Sequence, residues 1–296
     1  MYTLKNDLLQ ITVKKAGAEL CDISSAKHKT KFMWRADPKI WGSYAPNLFP
    51  IIGALKDDTY IYKNQKFKLS KHGFVRNNEQ VKLLDETEDS LTFVLRYNED
   101  SLKVYPFKFE FKIKYTLKQN TLEVKHVIEN LDSSPMYFSV GGHPAFKCPV
   151  FDDEVYSDYT LEFEQVENSV THLLNMENGL VSNNTELVFN NSKTLRLRHE
   201  MFEMDALIFK DLKSRKVALK SKKHGEIFAV CYSDFNYLGI WAKPNGDYVC
   251  IEPWLGIADS EDTNQELTTK EGIIKLDAQE SFTAAYHIEI NQSHLG

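Results

Sequence analysis

Three side chains in this sequence have the means to move protons at neutral pH. His72 stands in Lys71-His72-Gly73-Phe74-Val75-Arg76, and His143 in Gly141-Gly142-His143-Pro144-Ala145-Phe146. Glu252 stands in Val249-Cys250-Ile251-Glu252-Pro253-Trp254. A histidine with a pKa near about 6.5 can donate a proton, and a glutamate near about 4.3 is an ionised base. Pro144 and Pro253 bias the residue before each of them towards extended backbone, so His143 and Glu252 read as stiff strand-end groups. The apolar Val-Cys-Ile run before Glu252 predicts partial desolvation, which raises a carboxyl pKa. Gly141 and Gly142 offer unusual backbone angles, or a gap through which a ligand approaches the main chain. Asp205 opens the apolar run Ala206-Leu207-Ile208-Phe209 and could accept hydrogen bonds from hydroxyl groups. Trp254 offers a ring platform beside Glu252. Two histidines and a carboxylate could also hold a metal. No H-x-H or H-x-x-x-H pair accompanies them, and no metal is assigned. Each residue has a plainer reading. His143 would be packed at a strand end, His72 would sit in a surface turn, Glu252 would be salt-bridged at a sheet edge, and Asp205 would end a turn.

The elements that must position these residues are strands. Phe107, Phe109, Phe111, Ile113, Tyr115 and Leu117 alternate with charged or polar neighbours, giving one apolar and one wet face. Gln119-Asn120 turns the chain, and Thr121 to Lys125 begins the return. Leu8 to Lys14 and Ala18 to Ser24 read as an opening hairpin, with Thr30 to Trp34 as a third strand. Further strands are predicted at 65–69, 80–85, 91–97, 159–164, 186–189, 206–210, 216–221, 227–232, 237–243, 248–251 and 281–290. A short helix is predicted after Asp37-Pro38. Long segments at Asp37 to Tyr60, Glu252 to about Lys270 and Lys147 to Asp158 read as functional loops. Many short strands separated by turn signals predict an all-β protein, one large antiparallel β-sandwich over residues 1–296.

Composition narrows the function. The formal charge is -6, which disfavours a nucleic-acid partner. The 18 Phe, 14 Tyr and 4 Trp suit strands and clefts that stack on sugar rings. Four scattered cysteines with no C-x-x-C pair read as reduced thiols in a cytoplasmic protein. No signal peptide and no membrane span are read from the chain. Phosphate loops, dinucleotide fingerprints and G-x-S-x-G elbows are absent, so cofactor-dependent transfer and serine hydrolysis lack support.

Four motifs in order, Pro46-Asn47-Leu48-Phe49-Pro50-Ile51-Ile52-Gly53, His72-Gly73-Phe74-Val75-Arg76, Gly142-His143-Pro144-Ala145-Phe146 and Glu252-Pro253-Trp254, carry a resemblance. The chain resembles the aldose 1-epimerase (galactose mutarotase) family, in its lactose-operon-associated branch. The resemblance implies a carbohydrate cleft on a large β-sandwich. It also implies cofactor-free interconversion of the α and β anomers of an aldose, an aldohexose being expected. By motif match Glu252 takes the C1 hydroxyl proton, His143 protonates the ring oxygen, and His72 hydrogen-bonds the sugar nearby. Asp205 binds a sugar hydroxyl. Many relatives carry an arginine where this chain has Ala54, and Lys56 or Arg76 stands in as the replacement. His143 and Glu252 are expected to face one cleft, separated by about the width of a sugar ring, with Gly141 and Gly142 leaving room for it. A sugar-binding or regulatory protein without turnover is the alternative. A monomer or homodimer is expected.

Overall fold

Alternation of apolar and charged side chains builds the larger of two principal sheets. In the computed structural model, which describes residues 1–296, Phe109–Lys118 pairs with Thr121–Asn130 across the Gln119-Asn120 turn. Ser281–Ile290 packs on the other side of that return strand, and the sheet extends to nine antiparallel strands. The six-stranded sheet is built around Tyr248–Leu255, which pairs with Tyr237–Trp241 on one side. On its other side lie two short strands, Val140–Gly142 and Ala145–Lys147. Aromatic pairs tie the two sheets together: Phe146 on Phe228, Phe163 on Phe209, and Phe49 on Phe111. The expected antiparallel β-sandwich is therefore present. The single α-helix of the chain is Glu99–Val104, capped reciprocally by Asn98 and Ser101.

Several expectations need correction. The segment after Asp37 makes one turn, with the Ile40 and Trp41 amides donating to the Asp37 carbonyl, and no helix follows. Thr30 to Trp34 forms only isolated bridges, Ser24 to Lys31 and Met33 to Phe146. The strands expected at 159–164 and 186–189 are parts of one long hairpin, Tyr159–Leu174 and Val181–Arg196, each 16 residues. Its outer arm is solvated on both faces and its pairing is broken by bulges, so alternation disappears.

The six-stranded sheet has a second apolar cluster on the face turned away from the main core. Leu48, Ile52, Ile208, Trp254, Ile257 and Ala258 belong to it. That face carries the cleft described next. Successive residues of a strand point to opposite faces, so Val249 and Ile251 enter the main core while Glu252 and Trp254 reach the cleft.

Candidate active site

The cleft encloses about 730 Å³, its mouth included, and gathers His72, Arg76, His143, Asp205, Glu252 and Trp254. His143 sits in the break between Val140–Gly142 and Ala145–Lys147, both paired to the strand that carries Glu252. Its amide donates to the Pro46 carbonyl at 3.0 Å, Pro144 has no N–H to donate, and the Ala145 amide donates to the Tyr44 carbonyl. The imidazole is thereby turned out of the sheet towards Glu252. Its Nε2 stands 3.2 Å from Glu252 Oε2. The approach is too oblique for a hydrogen bond, and Oε2 has no partner. Both residues line the cleft, with Oε2 itself buried beside the imidazole.

Two expectations are overturned here. The pair is in contact and is not held a sugar-ring width apart. Contact suits the chemistry better: the C1 hydroxyl oxygen and the ring oxygen are bonded to the same carbon, so their acid and base must be neighbours. Nor do the glycines make room for a sugar. A Cβ on Gly141 would lie 2.7 Å from the Pro253 carbonyl oxygen and 2.9 Å from Trp254 Cδ1. A Cβ on Gly142 would lie 2.7 Å from the Tyr286 hydroxyl. The two glycines admit protein, letting the strand press against Trp254 and the main core.

His72 has a left-handed backbone, φ 67°. Its amide donates to the Gly53 carbonyl at 2.9 Å, and the Gly53 amide donates back to its Nδ1 at 3.1 Å. An accepting Nδ1 places the proton of the neutral ring on Nε2. Gly73, φ +74°, has no space for a Cβ, which would meet the Phe49 carbonyl oxygen at 2.2 Å. Asp205 ends a turn, its amide donating to the Phe202 carbonyl, and also lines the cleft. Arg76 Nη2 donates to Ser43 Oγ at 2.9 Å, while its buried Nε has no partner. Trp254 Nε1 is likewise buried and unpartnered.

Lys56 is not in the cleft. Its Nζ donates to the Glu261 carbonyl at 2.8 Å and its amide to Asp259 Oδ2, so it braces the loop behind the site. Lys71 lines the cleft in its place. Trp41, from the Asp37 to Tyr60 segment, stacks on His143 with centroids 4.9 Å apart, and Trp241 meets the same ring edge-on. Leu174 and Gly179, at the tip of the long hairpin, close one side. None of these was singled out from sequence, although Lys71 adjoins the histidine motif and Asn178-Gly179 is a turn signal. The Lys147 to Asp158 segment lies outside this cleft.

Burial sets the protonation. Glu252 is 1% exposed. Desolvation, and then the negative charge of Asp205, holds its carboxyl well above the ordinary value. Desolvation, and then the Arg76 charge, pushes His143 down to about 3. His72 is also held well below its usual value, chiefly by burial. Burial thus favours the neutral form of the Glu252 carboxyl and of the His143 imidazole beside it.

Comparison with known proteins shows the family of the chain. The family model for aldose 1-epimerase matches residues 1–274. The plasmid-encoded protein LacX of Lactococcus lactis subsp. lactis is 34% identical over 295 residues, covering 97% of this chain and 98% of the relative. A galactose mutarotase related enzyme from Lactobacillus acidophilus superposes with a TM-score of 0.92 at 36% identity, covering 98% of this chain and 97% of the other. A galactose mutarotase-like protein from Lactobacillus casei superposes with a TM-score of 0.89 at 27% identity, covering 98% and 100%. The cleft's paired carboxyl and imidazole thus sit in a chain that belongs to the aldose 1-epimerase family, whose substrates are sugars.

Proposed function

We propose that this protein is an aldose 1-epimerase-type isomerase acting on an unphosphorylated aldohexose, with Glu252 and His143 as the acid/base pair. The observation that carries the reading is the contact of the Glu252 carboxyl with the His143 imidazole, Oε2 to Nε2 at 3.2 Å, in the wall of one cleft. With the proton on His143, Glu252 takes the C1 hydroxyl proton while His143 protonates the ring oxygen. The ring opens, C1–C2 rotates, and closure on the other face runs the same transfers backwards. Opening and closing together restore the pair. A pair that starts with its proton on Glu252 is equally competent, because it always holds one donor and one acceptor. Such groups typically contribute about 10²–10⁴-fold each, and the enclosing cleft adds orientation. No cofactor is required.

His72 Nε2–H supplies a donor for sugar oxygens, Arg76 and Trp254 line the same cleft, and Asp205 accepts from a hydroxyl. Lys71 and Arg76 share the cleft with Asp205 and Glu252, so no cation cluster stands free of carboxylates, which supports a sugar without phosphate. Four free cysteines support a cytoplasmic setting. One feature favours the alternative, a sugar-binding protein without turnover. Ala54 stands where relatives often have arginine, and it packs 3.6 Å from where a Gly179 side chain would begin, so the hairpin tip covers the position.

Polarimetry or proton NMR of freshly dissolved α-glucose and α-galactose decides between the two. Acceleration by the wild type, lost by about 10²-fold or more in Glu252→Gln, is the expected result. Retained mutarotation in the variant would remove Glu252 from the mechanism. Binding without acceleration of any aldose would establish the non-catalytic reading.

A further inference from the structure

We propose that Cys250, Glu252 and His143 form a binding site for a soft divalent cation such as Zn²⁺ or Cd²⁺, whose occupation competes with the sugar. Three donor types converge at one point: the imidazole nitrogen, a carboxylate oxygen and the thiol sulfur lie within 4.8 Å of one another. Around a tetrahedral zinc with bonds of about 2.0–2.3 Å, neighbouring donors stand about 3.3–3.8 Å apart. His143 and Glu252, at 3.2 Å, already hold that spacing. No donor pair lies more than 4.8 Å apart, so closing to that spacing takes a shift of at most roughly 1–1.5 Å.

The strand explains the convergence. Cys250 and Glu252 are two residues apart and share one face of Tyr248–Leu255. His143 projects from the neighbouring chain between the register pairs Gly141–Trp254 and Ala145–Cys250. The open side of the cluster faces the cleft, because His143 and Glu252 line it while Cys250 lies behind. His72 is outside the cluster: its Nδ1 is taken by the Gly53 amide. The metal trio considered from sequence therefore exchanges His72 for Cys250. Thiolate and imidazole prefer zinc and cadmium over magnesium and calcium.

Burial and then the Glu252 charge keep the Cys250 thiol well above its ordinary pKa, so the resting site is a thiol. Binding replaces the S–H bond by a sulfur–metal bond and any carboxyl O–H bond by an oxygen–metal bond. The displaced protons pass to solvent and no electron is transferred. Affinity therefore weakens as pH falls.

The proposal uses residues of the isomerase reading, yet its readout is metal binding itself, so either can fail without the other. The experiment titrates the full chain with Cd²⁺ while following the ultraviolet thiolate-to-metal charge-transfer band, and repeats it with Zn²⁺ by equilibrium dialysis. Wild type, Cys250→Ala, Cys250→Ser and the control Cys231→Ser are compared after thermal melts show folded protein. One equivalent with a thiolate band is expected in wild type and in Cys231→Ser. The band disappears in both Cys250 variants, and Zn²⁺ affinity falls by at least about tenfold. Saturating aldose displaces the metal. No stoichiometric binding in wild type, or a band that survives in either Cys250 variant, overturns the proposal. Should the Cys250 variants fail to fold, His143→Ala serves instead: an unchanged Zn²⁺ affinity there also overturns it.

Discussion

At the residue scale the site turns on one shared proton. Burial penalises both ionised forms, raising Glu252 and lowering His143 to about 3. The competent pair has one proton. Below the lower transition it has two and loses its acceptor; above the upper transition it has none and loses its donor. The pH profile of kcat/KM should therefore be a broad bell, whose limbs belong to the coupled pair. Asp205 supplies a testable handle, because its negative charge is the second cause, after burial, of the raised Glu252 carboxyl. Removing that charge stabilises the carboxylate. In Asp205→Asn the alkaline limb should move to lower pH, alongside whatever loss of rate the missing hydroxyl contact brings. Polarimetric kcat/KM across pH, for wild type and variant, reads the limb directly. An unmoved alkaline limb would mean that a group other than Glu252 controls it.

At the element scale, two neighbouring chain segments aim the whole apparatus, and they meet at a glycine. Gly141 pairs with Trp254, and a Cβ there would press on the Pro253 carbonyl, which is backbone and cannot swing aside. Gly141→Ala should therefore cost about 1–3 kcal/mol, the usual penalty for overpacking. It should lower kcat as well, by shifting the strand that carries Glu252. Urea unfolding and polarimetry on the same preparation test both parts; unchanged stability would show that the close approach is not strained. This role was not legible in sequence, where a Gly-Gly pair beside a histidine reads equally as ligand space. Regular alternation was legible: Ser281–Ile290 and Lys216–Ser221 have the bounds that the pattern predicts. The full length of the long hairpin was not, because only the start of its inner arm, Tyr159, Leu161 and Phe163, buries an alternating apolar face, while the outer arm is solvated and leaves no period. The site residues could be picked from short motifs because proline and glycine mark them. Trp41 stayed hidden, since nothing in a long loop says which aromatic will stack on His143. Lys56 misled for a related reason: sequence neighbourhood placed it near the motif, while its ammonium found a carbonyl elsewhere.

At the scale of the whole molecule, the two sheets are joined through an apolar interior crossed by a few buried polar ties, among them the Ile208 amide on Thr171 Oγ1 and the contact of His126 with Asn47. His126, on a strand of the larger sheet, contacts Asn47 of the smaller sheet, Nε2 to Oδ1 at 2.9 Å. The Asn47 amide nitrogen in turn donates to the Gly17 and Ala18 carbonyls, and Asn47 pairs with Gly142, next to His143. With Asn47 Oδ1 as acceptor, His126 carries its proton on Nε2, and its buried Nδ1 has no partner. A second proton would place a charge and an unmatched N–H inside the sandwich. Burial accordingly pushes His126 down to about 3. An unfolded histidine titrates near about 6.5, so between these values the unfolded chain binds the extra proton and the folded one does not. The contribution is complete above the unfolded pKa and is lost as pH falls towards the folded one. By about pH 4.5 the loss is on the order of 2 kcal/mol. Glutamine at this position can donate to Asn47 but cannot titrate. The stability difference between wild type and His126→Gln, from urea unfolding, should therefore shrink by about that amount between pH 7 and about pH 4.5. His72 and His143 titrate in both proteins and cancel in the comparison. A difference that stays constant with pH would show that the tie between the sheets is not what acid breaks.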